Sequence, residues 1–309
     1  MGLPFGGTAK NYSATGANNN SKFIPEIWSG KLLVKFYDAT VLAQISNTDY
    51  EGEIKEGGDK VYIRTRPDII INNYVKGAGL NYQDPESPNI ELEIDQAKYF
   101  AFKGYDVDKM QADINFMNEF TADGGEQMKI EIDSDVLGAV YADAHADNAG
   151  NTAGRKSNDI QLGIAGTPLM LNKSNILDVI VDYGTVLDEQ NVPESSRFLI
   201  MPPKMCGLVK KSELKDASLS GDGKSLLRNG RLGVIDRFEL FTSNLLNVTG
   251  GEYDIIFGQK HALTFAAQFE KLEEVRAQND FGDYIRGLNV YGYEVIKPEA
   301  LGHSVARLQ

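Results

Sequence analysis

The sequence predicts an α+β fold, because strand-like and helix-like patterns occupy separate stretches of the chain. In residues 52–103, two stretches alternate apolar with polar residues, as half-buried strands do. In residues 104–147, apolar residues recur at every fourth position, which indicates a long amphipathic helix. Mixed helix and strand patterns follow in residues 148–268, and extended patterns return in residues 269–309.

The chain begins with a predicted N-terminal arm and lead-in, residues 1–51. Its first 22 residues are rich in Gly, Asn, Ser and Ala and contain no apolar stretch, so they do not resemble a signal peptide. Such a polar segment cannot form a core of its own. We therefore expect it to be ordered only where a partner holds it.

The next predicted element, residues 52–103, is an extended β-hairpin. Val61 and Ile63 alternate with polar neighbours on its first strand, and Ile90 and Leu92 do so on its second. The segment between them is rich in turn residues and predicts an open tip. A two-stranded hairpin is marginally stable by itself in water, so this one should pack against a neighbouring subunit.

Residues 104–147 hold most of the net negative charge of the chain, with eleven acidic residues against two lysines. The apolar stripe of this segment consists of Met128, Ile132, Val136 and Val140, with Leu137 and Tyr141 beside it. The pattern predicts a long helix with an acidic outer face. Two starts are open, because Asp123 and Glu126 form a candidate capping box, whereas Gly124 and Gly125 could instead lie inside a longer helix.

The N-terminal arm and the acidic face of this predicted helix are the candidate docking surfaces for a partner. The carboxylates of the acidic face include Glu126, Glu131 and Asp133, which the pattern places together on the polar side. Such a face could attract a basic partner helix in a salt-sensitive way, or it could simply be solvated.

Residues 148–268 predict a compact α/β region. After a Gly- and Asn-rich connection, Ser174 is the expected N-cap of a helix whose apolar face comprises Ile176, Ile180, Tyr183 and Leu187. A short buried strand is expected at 198–201, followed by a helix that begins at the pair 202–203 and runs to about Lys211. Further strands are expected at 238–242, 254–257, 263–268, 270–276 and 289–296.

The composition excludes several classes of protein. With 309 residues, the chain can bury one large core or two modest ones. A formal net charge of −13, from 31 basic and 44 acidic residues, argues against duplex DNA binding as the main activity. The single cysteine, Cys206, excludes a disulfide framework and a multi-cysteine zinc site, and it suits a reducing compartment such as the cytosol. No apolar run approaches the roughly 18 residues of a membrane span.

The sequence assigns no catalytic, cofactor-binding or metal-binding residue. The three histidines lie in unrelated contexts, at His145, His261 and His303. Residues 220–227 (SGDGKSLL) end like a phosphate-binding loop, but Ser218 stands where that pattern requires Gly. Residues 106–117 carry aspartates but lack the Gly and Glu of a calcium loop. Eight basic residues against four acidic ones between 204 and 237 indicate a solvated loop or, alternatively, a surface that meets acidic residues of another copy.

Three segments together carry a resemblance to a known family. They are residues 132–137 (IDSDVL) in the acidic helix, residues 231–240 (RLGVIDRFEL) followed by 242–245 (TSNL), and residues 279–298 (NDFGDYIRGLNVYGYEVIKP). In this order they resemble segments of the major capsid proteins of tailed bacteriophages, the family with the Hong Kong 97 capsid fold. The resemblance covers the chain from about Phe23 onward, and its two C-terminal segments are the most specific.

The resemblance implies a Hong Kong 97-like architecture, and the predicted elements match it. Residues 1–51 would be the N-terminal arm and lead-in, and residues 52–103 the extended loop. Residues 104–147 would start the peripheral domain and contain its long spine helix. Residues 148–268 would form the axial domain, and residues 269–309 would return to the peripheral domain as its C-terminal strands.

The resemblance further implies a non-enzymatic structural protein that self-assembles as pentamers and hexamers into an icosahedral head around double-stranded DNA. The expected partners are other copies of the chain, a separate scaffolding protein, the portal, decoration proteins and packaged DNA bound without sequence specificity. No membrane and no cofactor is expected. Assembly would occur in the host bacterial cytoplasm, and the product would be the virion capsid. Two alternatives stay open, namely an encapsulin-like shell around a cargo enzyme and an enzyme with a pocket in the α/β region.

Overall fold

The structure is a computed structural model that describes residues 37–38, 40–49, 60–67, 69–77, 79–80, 82–84, 89–105, 116–212, 233–278 and 280–309. The helices in these ranges are α1 (Leu42–Ile45), α2 (Phe116–Leu137), α3 (Ile176–Glu189) and α4 (Pro203–Lys211). The strands are β1 (Lys60–Arg64), β2 (Asn89–Glu93), β3 (Gln96–Tyr105), β4 (Leu169–Leu171), β5 (Arg197–Met201), β6 (Val234–Ile235), β7 (Phe238–Thr242), β8 (Val248–Thr249), β9 (Glu252–Gln259), β10 (Leu263–Arg276), β11 (Gly282–Val295) and β12 (Leu301–Leu308).

Some sequence predictions fall outside the described residues. They concern most of the arm (1–36), most of the failed calcium-loop match (106–115) and the middle of the basic segment (213–232), which includes the SGDGKSLL stretch.

The predicted hairpin is present as the antiparallel pair β1–β2. Its register sets Lys60 opposite Glu93, and their side chains form an ion pair of 2.7 Å on the outer face. On the inner face, Ile63 and Leu92 are buried and share a small core with Ala266 of β10. Because alternate residues of a strand point to opposite faces, the hairpin is anchored through one face only.

Strand β3 belongs to a different sheet, although residues 96–103 lie inside the range predicted as the hairpin. It pairs with β11 in a three-stranded antiparallel sheet of order β10–β11–β3. The pair β1–β2 therefore ends at Glu93, and the chain changes sheet at once. The sequence pattern could not show this change, because β2 and β3 follow each other closely and both carry alternating apolar residues.

Helix α2 packs on one face of the three-stranded sheet and confirms the predicted long helix. Ile132, Val136 and Leu137 of its apolar stripe are buried in the main core. The helix runs through Gly124 and Gly125 without interruption, so the interpretation of a longer helix is confirmed and the capping box is wrong.

The ring of Phe100 on β3 decides how closely helix and sheet approach each other. A Cβ atom on Gly124 of α2 would lie 3.0 Å from this ring, and one on Gly287 of β11 would lie 2.4 Å from it. Both distances are shorter than ordinary van der Waals contact. The two glycines thus leave the space that the Phe100 ring occupies between helix and sheet.

The larger sheet has the order β4–β12–β9–β5–β7–β6, with β8 paired to β9. The predicted strand at 198–201 is its central β5, whose residues are all buried. The predicted helix after the proline pair is α4, and Cys206 within it is 3% exposed, as its apolar neighbours suggest. The expected cap of α3 is wrong, because Asn175 precedes the helix and Asn172 Oδ1 accepts the backbone N–H bonds of Ser174 and Asn175.

The C-terminal strand β12 joins the larger sheet. Leu301 pairs with Gly258 of β9, and Ala306 pairs in parallel with Leu169 of β4. Residues 269–309, predicted as strands of the peripheral domain, are therefore divided between two sheets. The pattern predicted the second half of β11 as a strand, at 289–296, but it predicted neither the strand β12 nor the partners β3 and β4, which lie more than a hundred residues earlier. The domain boundaries stay a prediction.

Candidate functional site

The tip of the hairpin, between β1 and β2, exposes a group of large apolar side chains. The members of this group are Ile69, Ile70, Ile71, Tyr74, Val75, Leu80 and Tyr82. Ile71 is 88% exposed and Tyr82 is 89% exposed. Single exposed apolar residues are ordinary on protein surfaces, but a concentration of them in one segment indicates an interaction surface. We call residues 69–84 the hairpin tip.

A second exposed apolar surface is the face of the β10–β11–β3 sheet that points away from α2. Tyr99 of β3 lies directly opposite Leu288 of β11 and is 78% exposed. A groove of about 490 Å³ runs beside them. At its rim, Glu273 accepts a hydrogen bond of 2.8 Å from Arg286 Nε and forms an ion pair with Lys271. Hydrogen bonds from Lys271 and then from Arg286 lower the pKa of Glu273 and keep it ionised.

The turn between β10 and β11 is held to the end of β3 by Lys103. Its ammonium group donates a hydrogen bond of 2.5 Å to Asp280 and lies 4.3 Å from the ring centre of Tyr105. The ring of Tyr284 lies on another side at 5.5 Å. A cation between two aromatic faces and a carboxylate is stabilised by both kinds of partner. These contacts join Asp280, the neighbour of the exposed Phe281, to the end of β3.

The outer face of α2 is acidic, as the sequence predicts, but one of its carboxylates is not on that face. Glu126 is half-exposed and accepts a hydrogen bond of 2.7 Å from Lys129, and Glu131 is exposed and lies 3.6 Å from Lys98 of β3. Asp133 is 4% exposed and accepts backbone N–H bonds from Val41 at 2.6 Å and from Leu42 at 3.1 Å. The prediction that all three carboxylates share the polar face is therefore wrong for Asp133.

A histidine–carboxylate pair that the sequence did not reveal joins β9 and β12. His303 Nε2 lies 2.8 Å from Asp254 Oδ1, and Asn247 Nδ2 donates to Asp254 Oδ2 at 2.7 Å. The ring of Tyr141 packs on the imidazole at 4.9 Å. The polar groups of these side chains are therefore each other's hydrogen-bond partners, at the base of a cleft of about 450 Å³. Ser304, the neighbour of His303, is bonded instead to Tyr183 and Leu162 O, so the group does not form a nucleophilic triad.

Metal-binding and membrane-spanning features are both absent from the described residues. No cluster of three or more His, Cys, Asp or Glu side chains in these ranges is arranged to hold a metal ion. No helix in them combines the length and apolar character needed to cross a bilayer.

In the basic segment 204–237, Arg237 is paired within the subunit. Arg237 donates to Asp188 at 2.7 Å and to Glu194 at 2.8 Å, both in the same chain. For this residue, a contact inside the subunit replaces the expected alternatives of a solvated charge or a contact with another copy.

This arrangement of helices and sheets is similar to that of known structures, although the sequence matches no known family model. No protein-family model matches the sequence, and no curated protein sequence matches it. A structure from Mycobacterium phage Che8 matches with a TM-score of 0.75 and 26% identity, over 91% of this chain and 96% of that chain. The capsid of cyanophage P-SCSP1u matches over 94% of both chains with 14% identity and a TM-score of 0.69. The chain has the fold of a tailed-phage major capsid protein.

A third capsid structure extends the likeness to the whole chain. The mature capsid of bacteriophage PhiM1 matches over 100% of this chain and 99% of that chain, with 12% identity and a TM-score of 0.66. The predicted resemblance, the α+β class and the function of a major capsid protein are confirmed. The encapsulin-like alternative is not favoured, because the similar structures are phage capsids. Capsid structures also support self-assembly and a place in the virion capsid.

Proposed function

We propose that this capsid protein assembles as pentamers and hexamers into the icosahedral head of a tailed phage that packages double-stranded DNA. In this proposal the shell encloses the genome without sequence-specific contacts. The subunits join in the host cytoplasm around a separate scaffolding protein and meet the portal at one vertex, and decoration proteins bind outside. The protein acts as a structural subunit without catalysis or cofactor.

The observation that carries this proposal is the hairpin tip. Its exposed apolar side chains lie beyond a two-stranded ladder whose buried contacts are confined to the base, around Ile63, Leu92 and Ala266. Isolated hairpins are marginally stable in water. Burial of these apolar side chains against another subunit would stabilise the hairpin. In a closed symmetric shell, every subunit can offer the same surface to its neighbour.

The charge of the chain supports enclosure of DNA without tight binding to it. The outer face of α2 carries exposed carboxylates at Glu126 and Glu131. A wall of this sign repels phosphate groups at short range and leaves packaged DNA free to move. The same face attracts a basic helix, which is the chemistry we propose for the scaffolding partner.

We also propose the predicted division into arm (1–51), extended loop (52–103), peripheral domain (104–147 and 269–309) and axial domain (148–268), with one change. The last strand, β12, pairs with β9 and β4, so we assign it to the axial part.

The test of the proposed function is assembly of the purified full chain. We expect sedimentation velocity to show particles far larger than a 34.0 kDa subunit, and negative-stain microscopy to show closed shells or sheets of capsomers. The proposal fails if the protein remains a compact monomer across protein and salt concentrations, both alone and with the scaffolding protein.

A further inference from the structure

One side chain of the hairpin tip makes two hydrogen bonds to the backbone of a single residue. The N–H of Ile70 donates to Gln83 Oε1 at 3.1 Å, and Gln83 Nε2 donates to the carbonyl oxygen of Ile70 at 3.4 Å. Bonds to both groups of one residue reproduce a hydrogen-bonded pair of an antiparallel ladder. We call this pair of bonds the Gln83 clasp.

The clasp lies beyond the end of the backbone ladder, which pairs Arg64 with Asn89 as its last partners. It therefore joins the two sides of the tip where strand pairing no longer does so. Residue 70 is the centre of the isoleucine run 69–71. Fixing its backbone also restricts the directions in which Ile69 and Ile71 project.

The clasp contributes little to the fold of the free subunit. Both of its bonds are exposed to water, which competes for the same donors and acceptors. The three isoleucines that it orients are also exposed, at 69%, 69% and 88%, and so gain no burial from the orientation. A contact that orders exposed apolar side chains has its effect when those side chains meet another surface.

We propose that Gln83 is a positioning residue for shell assembly, whose amide holds the hairpin tip in the shape that docks on a second copy of this chain. This rests on the proposed function, in which the tip is a contact between subunits. A second copy is the fitting occupant because the tip is almost uncharged, with Lys76 and Asp84 as its described charged residues, and because shell symmetry presents one tip for each subunit.

The physical reason is preorganisation. A flexible tip must lose its conformational freedom on docking, which weakens association. If the docking shape is populated only in part, the apparent dissociation constant rises by the inverse of that fraction. The clasp raises the fraction before subunits meet.

The experiment compares Gln83→Met, Gln83→Glu and the control Gln161→Met in the full chain. Met has a similar length but makes neither bond, whereas the Glu carboxylate can accept from the Ile70 N–H and cannot donate to its carbonyl. Gln161→Met makes the same change at an exposed glutamine outside the tip. Hydrogen exchange of a peptide containing Ile70 reports on the clasp, and light scattering gives the threshold concentration for assembly.

For Gln83→Met, we expect faster exchange at Ile70 and a threshold concentration that rises about two- to tenfold, the effect of losing a typical hydrogen bond. Gln83→Glu should lie between Met and wild type, and Gln161→Met should match wild type. The thermal midpoint of the free subunit should be the same in all four proteins. If Gln83→Met does not fold, Gln83→Glu carries the comparison.

Two results would overturn the role of Gln83. One is faster exchange at Ile70 with an unchanged threshold, and the other is exchange that does not respond to loss of the amide. In both cases the proposed function stands if removal of residues 69–84 still abolishes shells. Shells of normal size without the tip would instead refute the proposed role of the tip itself.

Discussion

Asp133 Oδ2 accepts a hydrogen bond of 2.6 Å from the backbone N–H of Val41, a residue 92 positions earlier in the chain. The same oxygen accepts the N–H of Leu42 at 3.1 Å. These are backbone donors at the start of the four-residue helix α1, which has no side-chain cap of its own. Helix α2, which the resemblance predicts to be the spine helix, thus caps α1 from a distance and holds Val41 and Leu42 against the main core.

The first prediction concerns loss of this cap. Asp133→Ala leaves two buried backbone donors without their acceptor, so it should lower the free energy of unfolding by about 1–3 kcal/mol. Asp133→Asn keeps an oxygen in place and should cost less. Chemical denaturation of the subunit measures both. Equal destabilisation by the two variants would contradict a role for the oxygen as acceptor.

A second prediction follows from the charge of Asp133. Burial raises the pKa of this carboxyl, and the N–H bonds of Val41 and Leu42 offset the increase only in part. The folded chain therefore keeps the proton to higher pH than the unfolded chain, whose carboxyl titrates near about 3.9. Stability from this group is complete below that pH and is lost as the pH rises through the folded pKa.

The amide in the Asp133→Asn variant does not titrate, so its stability has no such dependence on pH. Its unfolding free energy, relative to wild type, should therefore rise between the acidic limit and neutral pH, as measured by denaturation across this range. Glu131→Gln, at an exposed position of the same helix, is the control and should show a smaller change. A difference from wild type that is constant with pH would show that the Asp133 pKa is not raised.

The burial of Asp133 could not be predicted from the sequence. The stripe of Ile132 and Val136 at four-residue spacing predicted the buried side of the spine helix correctly. The pattern did not distinguish the buried carboxylate of Asp133 from the exposed ones. A pattern along one helix shows which residues are polar, but it does not show which distant backbone donors they bind. The exposed tip residues and Gln83 were inside a segment that the sequence marked only as turn-rich, since local composition does not specify which side chain spans a turn.

The third prediction compares adjacent glycines of the spine helix. A Cβ atom added to Gly125 would have no neighbouring atom within 4 Å, so Gly125→Ala should stabilise the subunit by about 0.5–1 kcal/mol through helix propensity. Gly124→Ala gains the same propensity but meets the Phe100 ring at 3.0 Å, so it should stabilise less or destabilise. Thermal unfolding gives the comparison. Equal stabilisation would mean that helix and sheet can separate freely at Phe100.

The fourth prediction compares two arginines that share Asp188. The Arg197 side chain is fully buried and donates to Asp188, to the Val192 carbonyl and to the Pro193 carbonyl. Arg197→Met should lower the free energy of unfolding by about 2–4 kcal/mol, because buried acceptors lose their donors. Arg237→Met, at a side chain that is one-third exposed, should cost about 0–1 kcal/mol. Similar losses for both would contradict the assignment of Arg197 as the buried centre of this group.

The last prediction concerns docking of a scaffolding partner on the spine helix. Neutralising Glu126 and Glu131 together, as Gln, should weaken scaffold-assisted assembly if a basic partner helix binds this face. The contrast with wild type should shrink as salt rises, because exposed charges are screened beyond about 10 Å at 0.1 M ionic strength. Asp133 must stay unchanged in this variant, since its carboxylate caps α1 and its loss would mix a folding defect with a docking defect.

The matched control is Glu239→Gln, which removes an exposed carboxylate from β7 in the other sheet. Assembly yield is measured with and without the scaffolding protein at several salt concentrations, and subunit stability is measured in parallel. A defect that appears only with scaffold, only in the double variant and mainly at low salt locates docking on this face. An equal response of the double variant and the control would show that these carboxylates are solvated, and the basic partner would then have to bind elsewhere on the subunit.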